Sequence, residues 1–187
     1  MKIRLASLLL ACLFLLNGCS KSEELDRGMA LRAKLLSSNG YSFTTEVNAD
    51  FGDKTYTFGL DCQVDSQGSV DFTVIAPEGI AGITGKLSAQ GGALTFDDTA
   101  LAFELLANGR LSPVSAPWLL VHTLHEGYIV SGTSLDAGMM LSINDSYRDD
   151  AMTLNIYLDN DDLPTGAEVF CEGQRILSMT VENFIFQ

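Results

Sequence analysis

The chain is poor in positive charge. Of its 187 residues, 11 are Lys or Arg against 24 Asp or Glu, a net charge of −13. A surface of that sign repels phosphate backbones and anionic headgroups, which excludes nucleic acid as a partner and a basic patch as a means of membrane attachment. No apolar run reaches the ~20 residues of a membrane-crossing helix; Leu5 to Leu16 is about a dozen long. Nucleophile motifs are missing too. No serine stands in a Gly-x-Ser-x-Gly elbow, and neither histidine is near Cys62 or Cys171 in sequence. Nothing in the chain therefore specifies an enzyme, and no residue is assigned a catalytic or cofactor role. No internal repeat or linker divides it.

What is present begins with a leader. Lys2 and Arg4 precede the apolar run, and Asn17-Gly18 leads into Cys19. These are the parts of a secretory signal. The stretch Leu16-Asn17-Gly18-Cys19 resembles the lipobox of bacterial lipoproteins, which implies cleavage before Cys19 and a diacylglycerol thioether on it. The expectation is a signal peptide at 1–18, a short lipidated tether at 19–22 and one domain at 23–187. Lys2 and Arg4 leave with the leader, so the mature chain carries 9 basic and 24 acidic residues, or −15. Apolar content of 47 % with 19 % charged residues argues that this part folds.

Glu23 to Ser38 reads as a helix, with acids in its first turn and Leu25, Met29, Arg32, Leu35 and Leu36 at helical spacing. Asn39-Gly40 is its stop. From Tyr41 the period becomes two. Phe43, Thr45, Val47, Ala49 and Phe51 alternate with polar residues, and Tyr56, Phe58, Leu60, Cys62 and Val64 repeat the pattern after a turn at Gly52-Asp53. Val70, Phe72, Val74 and Ala76 continue it. Further strands are expected over Gly82 to Ala89, Ala93 to Phe96 and Ala100 to Leu106, with Gly91-Gly92 as a turn. Ser115 is placed to cap a helix over Trp118 to Glu126 that is apolar almost all round, with Pro117 in its first turn. Strands then return at 128–131, 138–144, 151–158, 167–172 and 175–186. Successive hairpins of this kind make an antiparallel meander.

Two cysteines remain in the mature domain, Cys62 and Cys171, each on the apolar side of its strand. In an oxidising compartment they are expected to pair as a disulfide, the alternative being two buried thiols. His122, His125 and Glu126 lie close on one helix, but no neighbouring motif supplies a third metal ligand. Asp159, Asp161 and Asp162 suggest calcium, yet Pro164 stands where an EF-hand needs Gly and Phe170 where it needs Glu. No metal is expected at either place.

The element order of lipidated cysteine, amphipathic helix, long antiparallel meander, mid-chain helix and further strands resembles the lipoprotein carriers LolA and LolB. It is also similar to the lipid-binding lipoproteins LppX and LprG. The resemblance implies an α+β fold, mainly antiparallel β, in which a curved half-barrel sheet wraps around one or two helices and the space between takes acyl chains. Phe43, Val47, Phe58, Phe72, Val74, Phe103, Trp118, Met139, Leu154 and Ile156 are the candidates to line it, or else to fill a dry core. The carriers' basic residue on an early strand has no counterpart: Tyr41 to Phe51 holds no Lys or Arg. The expected protein is extracytoplasmic, anchored to a bacterial membrane by its lipid, with a lipid or acyl-chain ligand. The alternative is an envelope protein that docks another protein through its surface or sheet edge.

Overall fold

A helix opens the folded part, and its own sequence explains it. In the computed structural model, which describes residues 23–89 and 111–187 together with the backbone of 91–95, helix α1 spans Glu23–Ser37. Glu23, Glu24 and Asp26 sit in its first turn and Lys34 in its last, signs that oppose the helix dipole. Gly28, Leu31 and Leu35 form its buried side. The leader, Cys19, Phe103 and the strand expected over Ala100 to Leu106 lie outside the described residues.

Five strands follow: β1 (Gly40–Asp50), β2 (Thr55–Asp65), β3 (Val70–Ala76), β4 (Thr84–Ser88) and β5 (Gly91–Thr95). Helix α2 (Ala116–Glu126) comes next, then β6 (Tyr128–Leu135), β7 (Gly138–Asn144), β8 (Thr153–Leu158), β9 (Pro164–Cys171) and β10 (Gln174–Phe186). All of them join one antiparallel sheet, in the order β5-β4-β3-β2-β1-β10-β9-β8-β7-β6. Each half is a plain meander. The halves meet where the first strand pairs with the last, with Thr45 opposite Val181 and Val47 opposite Met179.

One face of the sheet is buried along its whole width, from Leu60 and Val74 to Val169, Ile156, Leu141 and Ile143, all within 1 % of full burial. Both helices lie on that face: α1 against β6 and β7, α2 against β3 and β7, and each against the other. The fold is thus α+β, an open half-barrel with two helices in its trough.

The period-two reading of β1 holds, with Phe43, Thr45, Val47 and Ala49 inward. Several local expectations do not. Tyr56 and Ala76 are exposed, and each lies at the end of its strand, where fewer neighbours cover it. Gly91-Gly92 belongs to β5 instead of a turn, pairing with Ser88 and Leu87. Ser115 makes no capping bond; its hydroxyl donates to the Ser112 carbonyl at 2.6 Å, and α2 starts at Ala116, before Trp118.

The expected Cys62–Cys171 disulfide is absent, since the two cysteines are not bonded to each other. Topology forbids the bond. β1 and β10 separate β2 from β9. Three strand spacings of about 4.8 Å already exceed the roughly 7 Å that a disulfide tolerates between Cα atoms. Register adds to the gap: Cys62 faces Phe43 near the C-terminal end of β10, whereas Cys171 faces Gln174 at its start. Burial pushes the Cys62 thiol pKa up, as for any thiol kept from water.

Candidate functional site

Helix α2 is the element that positions the site. Its flanks are apolar on nearly every side, and Leu119, Leu120, Val121 and Leu124 are all buried against the sheet and α1. Trp118, in the first turn, is left at the margin of that packing and is partly buried. Its indole stacks on the His122 ring one turn on, with centroids 4.9 Å apart and planes 11° from parallel.

Beside this stack lies a cleft of about 460 Å³. Its floor and walls are Leu87 of β4, Leu111, Leu119 and Met152, and its rim carries Ser88, Ser115, Asp145, Ser146 and Arg148. The volume falls in the range of about 300–1,000 Å³ common to small-molecule sites, and the mix of apolar walls with a few polar groups is the usual one. The β7–β8 loop forms one bank. It is held by the Asp145 carboxylate, which accepts from the Met152 backbone N–H at 2.9 Å, while the Asp145 N–H donates to the Met152 carbonyl at the same distance. Arg148 leans toward Asp150 at 3.5 Å and is well exposed. The Ser146 hydroxyl is buried and makes no hydrogen bond. A hydroxyl withdrawn from water costs about 1–3 kcal/mol unless something pairs with it.

The C-terminal end of α2 is tied down by α1. Arg32 donates from Nε to the Leu124 carbonyl at 2.7 Å, and from Nη2 to Gly127 at 2.8 Å and Thr123 at 3.4 Å. A cation there meets the negative end of the helix dipole and satisfies carbonyls that the helix leaves unpaired. Burial lowers the Arg32 pKa from its ordinary value. His125, on the same turn of α2, has Nε2 3.0 Å from the hydroxyl of fully buried Tyr41. Burial pulls the His125 pKa below its ordinary 6.5. His122 and His125 thus engage different partners, and among the described residues no group of three or more His, Cys, Asp or Glu is placed to hold a metal. Asp159 serves its own turn, accepting from the N–H groups of Asp161 and Leu163, and Asp162 pairs with Arg27.

The sheet does bring the described candidates together. Phe43, Val47, Phe58, Phe72, Val74, Met139, Leu154 and Ile156 share one core cluster, each less than 5 % exposed. Of them all, Trp118 borders the cleft beside α2, while Phe72 reaches a shallow groove near Lys86. Sequence reasoning missed Leu87, Leu111, Ser146, Arg148 and Met152. Residues 145–150 are a largely polar run with no local sign of a cleft, and only the folded sheet places them opposite the end of β4.

Fold and cleft define a class: open antiparallel half-barrels with helices seated in the trough and an opening at the helix margin. No family model matches the chain, and no curated protein matches it in sequence. Solved structures are similar in arrangement. A conserved, uncharacterised protein of Thermus thermophilus is 14 % identical, with 90 % of this chain and 88 % of that one covered and a TM-score of 0.47. A LolA superfamily protein of Nitrosomonas europaea is 6 % identical, with 84 % and 91 % covered and a TM-score of 0.46. The Mycobacterium tuberculosis lipoprotein LppX is 8 % identical, with 87 % and 93 % covered and a TM-score of 0.40.

Proposed function

We propose that the chain is an extracytoplasmic lipoprotein, cut after residue 18, acylated on Cys19 and held at a bacterial membrane, whose half-barrel shelters a lipid or other apolar ligand. The observation that carries the ligand reading is the cleft beside Trp118, an apolar trough opening at the edge of helix α2, with an unpaired buried hydroxyl at its bank. Burial of an acyl chain there drives binding at about 25 cal/mol per Å² removed from water, before the costs of association. The polar rim then faces the headgroup. Two acyl chains on Cys19 anchor stably where one does not.

The test is organic extraction of the purified, acylated protein followed by mass spectrometry, together with displacement of a fluorescent fatty acid. Co-purified lipid and saturable displacement are expected. Repeated extraction without lipid, and no displacement, rejects the ligand. The second reading, an envelope protein with a filled core that docks a protein partner, is favoured by the tight packing of eight of the ten candidate residues under 5 % exposure. It is what remains if that experiment finds nothing.

A further inference from the structure

Helix α1 has an apolar side that the sheet does not use. Met29 and Leu36 are 54 % and 56 % exposed, and Ala33 is exposed between them. At 100° per residue these three fall within a narrow arc, opposite the side that buries Leu31. The arc continues past Arg32. That guanidinium bonds the Gly127 carbonyl, and the next residue, Tyr128, is 50 % exposed with its ring 5.4 Å from that of Tyr147, the most exposed large apolar side chain among the described residues at 81 %.

We infer that this side of α1, with the Tyr128–Tyr147 pair, lies flat on the lipid surface to which Cys19 is tethered. The inference rests on the anchor reading given above. Glu23 follows Cys19 by four residues along the chain, a stretch that spans at most about 14 Å fully extended. Helix α1 is itself only about 22 Å long. Its first turn is therefore held within about 14 Å of the anchored cysteine, close enough for the whole helix to lie along the bilayer interface. Tyrosine suits that interface, with an apolar ring and a polar tip, and aliphatic side chains suit the acyl boundary beneath it. Charge does not drive the contact. The mature chain is strongly acidic, and Arg32 is committed to α2. Docking is accordingly strongest on zwitterionic lipid and weakens as anionic lipid is added.

The experiment places a fluorescent reporter on the patch. Met29→Trp and Tyr147→Trp variants of the full acylated protein, and a Tyr56→Trp control at the far end of the β1–β2 hairpin, are reconstituted in phosphatidylcholine vesicles with brominated acyl chains. Each is compared with the parent, whose single tryptophan is Trp118. Quenching of the added tryptophan at 29 and 147 at least twofold above that at 56 is expected. Equal quenching at all three sites in protein whose mass shows the acyl group overturns the docking and leaves the anchor standing. Protein lacking the acyl group overturns the anchor and the docking with it. Two reporters at opposite edges of the patch keep the test decisive if one variant does not fold.

Discussion

Arg32 ties two helices together through three carbonyls, and its cost when lost should be out of proportion to its exposure. Arg32→Met keeps much of the stem and removes the donors. It is expected to lower stability by about 2–3 kcal/mol, since hydrogen bonds from a charged donor are among the stronger ones and the carbonyls at the end of α2 are left without them. Urea denaturation followed by circular dichroism measures it. His125 gives a second test. Its folded pKa lies below 6.5, so the unfolded chain takes up the proton first. The stabilisation is complete above about pH 6.5 and is lost as pH falls toward the folded value. The groups around it are Glu126, Arg32, His122 and Tyr41, and of these only Glu126 favours its charge. The midpoint of thermal unfolding should fall between pH 7 and pH 5, and the fall should be smaller in His125→Gln.

At the level of elements, the seating of α1 depends on glycines. A Cβ on Gly132 of β6 would collide with the Cβ of Glu24, and its backbone carbonyl carbon lies only 3.3 Å away. One on Gly28 would come within 2.9 Å of a Leu141 methyl, which a side-chain adjustment can relieve. Gly132→Val should therefore destabilise by about 1–3 kcal/mol, as overpacking does, and more than Gly28→Ala; paired denaturation curves decide the order. For α2 the informative side chain is Trp118. Trp118→Ala removes a wall of the cleft while the buried Leu119, Leu120 and Leu124 remain to hold the helix. Losing about 1.5–2 kcal/mol of apolar contact should weaken fatty-acid probe binding roughly tenfold or more, read by titration. The helices themselves were legible in sequence, α1 from its acidic start and spaced leucines, α2 from its Pro117 and its apolar surround. Their contacts with β6, β7 and β3 were not, because nothing local says which strands a helix covers.

For the molecule as a whole, the pairing of β1 with β10 decides most. It places the first and last strands side by side in mid-sheet and keeps Cys62 and Cys171 on separate strands with two others between. Treatment with reductant should leave the intact mass and the unfolding midpoint unchanged; a gain of two hydrogens would contradict this register. The same closure assembles the core from both halves, so Phe43 stacks on Phe184, with 5.9 Å between centroids, across more than a hundred residues of sequence. Contacts of such separation leave no periodic trace.

The amino-acid order by itself settled the strand alternation, the two helices, the acidic surface and the apolar identity of the core, because each follows from spacing within a dozen or so residues. The register of the halves, the fate of the cysteines, the cleft beside Trp118 and the exposed arc of Met29 and Leu36 were decided only in three dimensions. Each of those depends on which distant segment arrives as a neighbour, and side-chain periodicity carries no information about that.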